Sequence, residues 1–184
     1  MIRAHWQDRV AGRLARAEQS VRVRIARDEL RRIRELTRAI NDLERELAAL
    51  TAALAPRLRA ERGCGALTAA KLIGEIAGAD RFATDAKLAR TAGSAPIPAS
   101  SGQTHRHRLD RGGNRQLNTA IHRIAITRAR CHPETRAYLN RKRSEGKTTK
   151  EAIRCLKRHL TRRIWHLLRE PHPLAETPPS PSIS

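Results

Sequence analysis

Apolar residues recur every three or four positions along one stretch of the chain, and this repeat restricts the fold more than any other feature. It comprises Ile33, Leu36, Ile40, Leu43, Leu47, Leu50 and Leu54. Alternating steps of three and four are the a/d spacing of a coiled coil, and about three heptads are present. The positions between them are largely charged, so the narrow stripe predicts a long helix that pairs with another helix. The alternative is an amphipathic helix packed inside its own domain.

The limits of this helix set the expected domain organisation. Residues 14–32 contain no Gly or Pro, so the helix should begin well upstream of the repeat, and it should end near Pro56, which lacks the amide proton. We therefore expect a long coiled-coil helix over 1–57 and a small helical domain over 58–169. Residues 170–184 hold five of the nine prolines and no Lys or Arg, which is typical of a disordered tail. The predicted fold class is all-α.

Positive charge dominates the composition. The 184 residues include 38 Lys or Arg and 18 Asp or Glu, a formal net charge of +20, while 39% hydrophobic residues suffice for one or two small cores. Residues 111–169 alone carry 17 basic and 3 acidic side chains. Such an excess of positive charge indicates a surface that binds nucleic acid rather than one that is only exposed to solvent. Only four residues are aromatic, which argues against modules that stack bases on aromatic side chains.

The compartment is predicted to be cytoplasmic, without a membrane partner. No apolar run approaches the ~18 residues of a membrane span. The three cysteines lack CxxC spacing, so reduced thiols are expected. Cys155 and His159 lie four residues apart, which would suit one side of a zinc site, but a second ligand pair is missing. We therefore predict neither a metal nor a cofactor in this chain.

A Gly-x-Gly turn at Gly63 and Gly65 opens a segment rich in small residues and predicts a helix-hairpin-helix. Glycines allow a tight turn, and the amides at the start of the next helix can then point at a DNA phosphate. The alternative is a plain glycine-rich connection between helices.

Three later helices are predicted from their caps and stripes. Thr84 should cap a short helix that stops at Gly93, and Asn114 should begin another that ends at His132-Pro133. Thr148 and Glu151 form a capping box for the last helix. The expected buried stripes are Leu117, Ala120, Ile121 and Ile124, then Ala152, Ile153, Leu156, Leu160, Ile164 and Leu167.

Basic residues in this half, together with the glycine turn, make up the predicted DNA-binding set. Its members are Gly63, Gly65, Lys71, Arg106, Arg108, Arg111, Arg115, Arg123, Arg154, Lys157, Arg158 and Arg162.

The segment 94–113 is rich in Pro, Ser and Gly and predicts a long irregular loop, which in a compact domain is either functional or disordered. Ser94, Ser100 and Ser101 precede a run of histidines and arginines, a setting for a nucleophilic hydroxyl facing a phosphodiester. A flexible Ser-Ser-Gly turn is the alternative. Tyr138, the only tyrosine, is expected to be a surface residue rather than a recombinase nucleophile.

The order of these features resembles the C-terminal half of the insertion-sequence one-ten family of transposases, relatives of Piv-type DNA invertases. After the leucine repeat come Gly63-Cys-Gly-Ala-Leu-Thr-Ala, Phe82, Ala92-Gly93-Ser94-Ala95-Pro96, Ser100-Ser101-Gly102 and Gly113-Asn114-Arg115-Gln116-Leu117-Asn118. The similarity covers about residues 30–169.

The resemblance implies a DNA transposase or recombinase in which Ser101 attacks a DNA phosphate and becomes phosphoserine-linked. It also implies a homo-oligomer formed through the coiled coil, a structured guide RNA as second partner, and a RuvC-like domain with four acidic residues and magnesium. Residues 1–30 show no strand followed by an Asp, so we expect that domain to be supplied in trans. Two alternatives stay open: a dimeric DNA- or RNA-binding protein without chemistry, and an inactive truncated transposase. Ser100 competes with Ser101 as nucleophile.

Overall fold

The structure, a computed structural model, describes residues 2–99, 107–108 and 110–169, with side chains from residue 5 onward. The chain divides into two compact units, Met1–Leu47 and Ala48–Ser184. This division falls earlier than the boundary expected at residue 57. Across the described ranges, no helix combines the length and the apolar character needed to cross a membrane.

The first unit contains α1 (Ile2–Arg16) and most of α2 (Val21–Leu54). As predicted, α2 starts upstream of the leucine repeat, but a break at residues 17–20 separates it from α1. The Ser20 hydroxyl accepts a hydrogen bond from the Val23 amide (3.3 Å) and so begins α2 without any glycine or proline. Arg34 and Asp8 form an ion pair at 2.8 Å, and Gln7 donates to Thr37, so α1 folds back antiparallel along α2.

The apolar stripe of α2 stays largely uncovered. Ile33, Leu36, Ile40 and Leu43 are 40%, 55%, 49% and 59% exposed. A stripe packed inside its own domain would be buried, so this exposure does not favour the alternative of an internally packed helix. Pairing with another helix stays a prediction.

The second unit holds six further helices and one short strand pair, which confirms the all-α class. Strands β1 (Ile97–Pro98) and β2 (His107–Arg108) pair antiparallel. The helices are α3 (Pro56–Ala60), α4 (Ala66–Ile76), α5 (Asp85–Thr91), α6 (Arg115–Cys131), α7 (Pro133–Ser144) and α8 (Thr149–Arg169), with a 3₁₀ turn at Ala79–Arg81.

One hydrophobic core holds this unit together. Helix α4 packs against α6, while α8 packs against α5, α6 and α7. Each fully buried Leu or Ile contributes about 1.5–3 kcal/mol relative to an exposed one. The predicted stripes are confirmed as buried, except that Ile153 and Leu167 are only partly covered. The largest fully buried side chains are Leu58, Leu72, Ile76, Leu88, Leu117, Ile121 and Thr161.

The predicted helix starts are confirmed by their hydrogen bonds. Asn114 Oδ1 accepts from the amides of Gln116 and Leu117 at 2.9 and 3.0 Å. In the capping box, the Thr148 amide donates to Glu151 Oε2 at 2.8 Å, and the Glu151 amide donates to Thr148 Oγ1 at 3.3 Å. These local caps fix the residues at which α6 and α8 begin.

Candidate functional site

The two ends of the irregular segment between α5 and α6 meet at Gly93 and Gly113, which we call the loop neck. The backbones approach so closely that Gly113 has no room for a Cβ atom, and Gly93 has a φ of +60°. The Asn114 amide donates to the Thr91 carbonyl at 2.6 Å across the neck. Only glycine permits this approach, so the predicted loop leaves and re-enters the helical core at one point.

A buried lysine supports the neck from α8. Lys157 is 6% exposed, and its Nζ donates to Asn118 Oδ1. Asn118 Nδ2 in turn donates to the carbonyls of Ala92 and Gly93 at 2.6 and 3.2 Å. Lys157, predicted as a DNA-binding residue of a basic helix face, is therefore buried in the fold, and its part in DNA binding stays a prediction. The helical period does indicate the burial of Lys157. Thr161 and Ile164, which lie four and seven residues further along the helix, are on its buried stripe.

The hydroxyl of Ser94 is hydrogen-bonded within the fold, although the residue is only partly buried and lines the cavity described below. Its Oγ lies 2.9 Å from Thr161 Oγ1 and 3.3 Å from the Ala89 carbonyl oxygen. The Thr161 hydroxyl is itself 2.9 Å from the Lys157 carbonyl, to which it donates. In this structure the Ser94 hydroxyl therefore donates to another group of the protein. Of the other named candidates, Ser100, Ser101 and Arg106 lie outside the described residues.

A cavity of about 580 Å³ lies beside the loop neck, between the two ends of the loop, α7 and α8. It brings together four members of the predicted set, namely Arg108, Arg154, Lys157 and Arg158. The sequence pattern does not group these four residues with the other charged or aromatic residues of the cavity wall. The others come from distant segments of the chain. Those residues are Asp110, Tyr138, Lys142, Glu145, Lys147, Glu151 and the histidines His107 and His159.

Tyr138 lies on the short helix α7, is partly exposed and lines this cavity. Its hydroxyl is buried and has no hydrogen-bond partner among the described residues. The ring packs edge-on against His159 with 5.4 Å between ring centroids. Burial raises the pKa of the Tyr138 phenol, so its hydroxyl stays protonated at neutral pH.

Acidic residues from other segments neutralise part of the predicted basic surface. Glu61, between α3 and α4, pairs with Arg128 of α6 at 3.3 Å, and its Oε1 accepts from Arg163 Nε of α8 at 2.6 Å. Arg158 pairs with Asp85 at 2.7 Å, and this hydrogen bond lowers the pKa of the Asp85 carboxyl. The fold thus brings acidic residues from distant parts of the sequence next to these arginines.

The remaining predicted DNA-binding residues lie outside the cavity. Arg111, Arg115, Arg123 and Arg162 are exposed, whereas Lys71 on α4 is partly buried. None of the five appears among the residues that line the cavity. The cavity and the exposed arginines of α6 and α8 are therefore separate basic features.

The glycine turn before α4 is present. Gly63 has a φ of +87° and faces the Ile124 carbonyl and Thr127 of α6, while Gly65 is the N-cap residue of α4. No side chain caps this N-terminus. Its use as a helix-hairpin-helix phosphate contact stays a prediction.

Within the part of the chain that the structure describes, no three His, Cys, Asp or Glu side chains come together in a group that could hold a metal ion. All three cysteines are free thiols. Burial raises the pKa of Cys64 to about 11, so this thiol stays protonated and inert.

Comparison with known proteins finds sequence similarity to a transposase family. Residues 55–140 match a family model described as "Transposase IS116/IS110/IS902 family". The chain is 37% identical over 131 residues to the "Insertion element IS110 uncharacterized 43.6 kDa protein" of Streptomyces coelicolor, covering 70% of this chain and 32% of the relative. It is 29% identical over 149 residues to the "Insertion element IS900 uncharacterized 42 kDa protein" of Mycobacterium paratuberculosis, covering 75% and 37%.

The chain thus spans about a third of the length of the curated relatives that it matches. The family match begins at residue 55, just before α3, and ends within α7. It includes the loop neck and the glycine turn. These comparisons support the similarity of this chain to the C-terminal region of transposases of the IS116/IS110/IS902 family.

Proposed function

We propose that this chain is the DNA-binding C-terminal region of a transposase and that Ser101 is its nucleophile for DNA transposition. The observation that carries this proposal is the loop neck at Gly93 and Gly113, which begins and ends the predicted serine loop beside a basic cavity. The helices at both ends of the loop form a rigid base from which a loop residue can act on a substrate. The internal use of the Ser94 hydroxyl leaves Ser100 and Ser101 as the loop's candidate nucleophiles.

The proposed reaction is a transesterification. Ser101 Oγ forms a bond to the phosphorus of a DNA phosphodiester, and the bond from phosphorus to the leaving DNA oxygen breaks. The serine proton goes to a base, and the leaving oxygen takes up a proton to become a hydroxyl. Arginine side chains stabilise the charge that builds on the phosphoryl oxygens. The product is a phosphoserine link that a second strand can attack.

Magnesium fits the described part of this chain poorly, because its acids are scattered or already paired with arginines, as Glu61 and Asp85 are. We therefore propose that a RuvC-like acidic domain supplies the metal ligands in trans.

Covalent trapping tests the proposed nucleophile. The full chain is mixed with insertion-element DNA and with an intact family transposase whose own serine has been replaced. We expect a protein–DNA adduct that survives denaturation and that disappears in Ser101→Ala. Ser94→Ala is the matched control, and its adduct should persist. If Ser100→Ala removes the adduct and Ser101→Ala does not, the assignment of Ser101 is wrong.

A second candidate function is a dimeric DNA- or RNA-binding protein without chemistry. The exposed stripe of α2 and the exposed arginines of α6 and α8 favour it. In that case DNA binding persists while every variant, and the parent chain, fails to form an adduct. Binding should weaken steeply between low and physiological salt, because it depends on phosphate contacts. Competition between DNA and a structured RNA measures whether a guide RNA is a second partner.

A further inference from the structure

Lys157 carries a charge that no acidic residue in the described part of the chain balances. Its side chain is buried, and its only hydrogen bond among the described residues goes to Asn118 Oδ1. No carboxylate in the described ranges lies within ion-pair distance of its Nζ. Burial lowers the pKa of the Lys157 ammonium, and no neighbouring acid offsets this effect. A buried cation without a partner is unfavourable unless something else supplies the opposite charge.

The surroundings of Lys157 point to an anion as that partner. An ammonium has three donors, and Asn118 accepts only one of them. Lys157 lines the cavity, whose wall carries six Lys or Arg side chains and three carboxylates. Two of the carboxylates have close partners, since Glu145 pairs with Lys142 and Glu151 with Arg154. The third, Asp110, has its Oδ2 at 3.5 Å from Arg90 Nε and without a hydrogen-bond partner among the described residues.

Two further cations of the cavity wall make no ion pair within the described residues, namely Arg108 and Lys147. With Lys157 they leave three uncompensated positive charges around one concave space. A volume of about 580 Å³ lies within the usual range for ligand pockets, roughly 300–1,000 Å³. This space is therefore large enough for a nucleotide and not only for a bare ion.

We infer that Lys157 is the centre of a phosphate-binding site in this cavity. The ligand is a phosphate group, carried either by a DNA strand or by a free phosphate. If the carrier is DNA, the site deepens the proposed function, because it fixes a phosphate beside the serine loop. The Asn118 link then couples an occupied site to the loop neck through the carbonyls of Ala92 and Gly93.

Thermal unfolding with inorganic phosphate tests this inference on the full chain. At constant ionic strength, replacing chloride by phosphate should raise the Tm of the parent protein and of the control Lys150→Met. Lys150 is an exposed lysine of the same helix that does not line the cavity. Lys157→Met should lose the phosphate response, measured against the Tm of the same variant in chloride, because it removes the charge that binds the anion. An equal phosphate response in Lys157→Met would overturn the inference.

If Lys157→Met does not fold, Lys147→Met tests the same cavity from a partly exposed position. It should weaken phosphate binding by about tenfold, the loss expected for one charge-assisted hydrogen bond. Unchanged phosphate binding in that variant would contradict the inference as well.

A short single-stranded oligonucleotide distinguishes the two phosphate sources. If the site takes a DNA phosphate, inorganic phosphate should displace the oligonucleotide, and Lys157→Met should bind it about tenfold more weakly. If the site takes free phosphate, both ligands should bind together, and Lys157→Met should bind the oligonucleotide normally. Ser101→Ala should keep the phosphate response whatever the adduct experiment shows. A failure of the Ser101 proposal can therefore be distinguished from a failure of the phosphate-site proposal.

Discussion

A methyl group on Gly113 would lie 2.2 Å from the backbone nitrogen of Gly93 and 2.4 Å from its Cα atom. These two glycines lie at opposite ends of the predicted serine loop, and their contact lets both chain segments pass through one narrow gap in the core. The Asn114 and Asn118 hydrogen bonds reinforce the same gap. These contacts thus fix the points at which the loop leaves and re-enters the core.

Gly113→Ala should open the loop neck. Because the new methyl group meets backbone and not a flexible side chain, we expect a loss of about 1–3 kcal/mol in the free energy of unfolding. Gly74→Ala is the matched control, since its methyl group meets nothing within 4 Å in the middle of α4. That change should stabilise the protein by about 0.5–1 kcal/mol. Urea denaturation measures both, and equal effects of the two variants would contradict the close contact at the neck.

Glu61→Gln should destabilise the second unit strongly. The change leaves Arg128, which is 14% exposed, without its carboxylate and weakens the bond to Arg163. The expected loss is about 3 kcal/mol, at the lower end of the range for a buried pair. Asp42→Asn breaks an exposed pair with Arg45 and should change the free energy of unfolding by less than about 1 kcal/mol. Similar losses in both variants would rule out a structural role specific to Glu61.

The Asp85–Arg158 pair should make stability depend on pH in the acidic range. Its hydrogen bond lowers the pKa of Asp85 below the ordinary value of 3.8. The pair therefore contributes its full stability above about pH 4 and loses it as the pH falls through the lower folded-state pKa. Because both side chains are partly exposed, the contribution is at most about 1 kcal/mol. The difference in unfolding free energy between the parent and Asp85→Asn should be present at neutral pH and vanish in strong acid.

Glutamate substitutions in the α2 stripe should prevent self-association. Leu36 and Leu43 are more than half exposed, and pairing of two copies would bury them as successive d residues of the repeat. The double variant Leu36→Glu/Leu43→Glu should sediment as a monomer under conditions where the parent chain sediments as a dimer or larger. Glu35→Gln/Glu44→Gln is the control, because these neighbours lie off the stripe. A monomeric parent chain would contradict the predicted pairing.

Much of the secondary structure could be predicted because its causes are local. The caps at Asn114 and Thr148 act within three residues, and the stripes of α6 and α8 repeat with the helical period. The break at residues 17–20 escaped prediction because it contains neither Gly nor Pro. There Ser20 begins α2 through a hydroxyl bond, a weak signal on its own.

The sequence by itself determined the helical class, the core stripes, the basic character and the glycines of the loop neck. Only the tertiary structure decided which charges remain available to a ligand. Arg128 and Arg163 receive Glu61 from 67 and 102 residues away, whereas Lys157 has no acidic partner within residues 2–99, 107–108 and 110–169. Electrostatic energy depends on distance in space and on burial, and neither follows from distance along the chain.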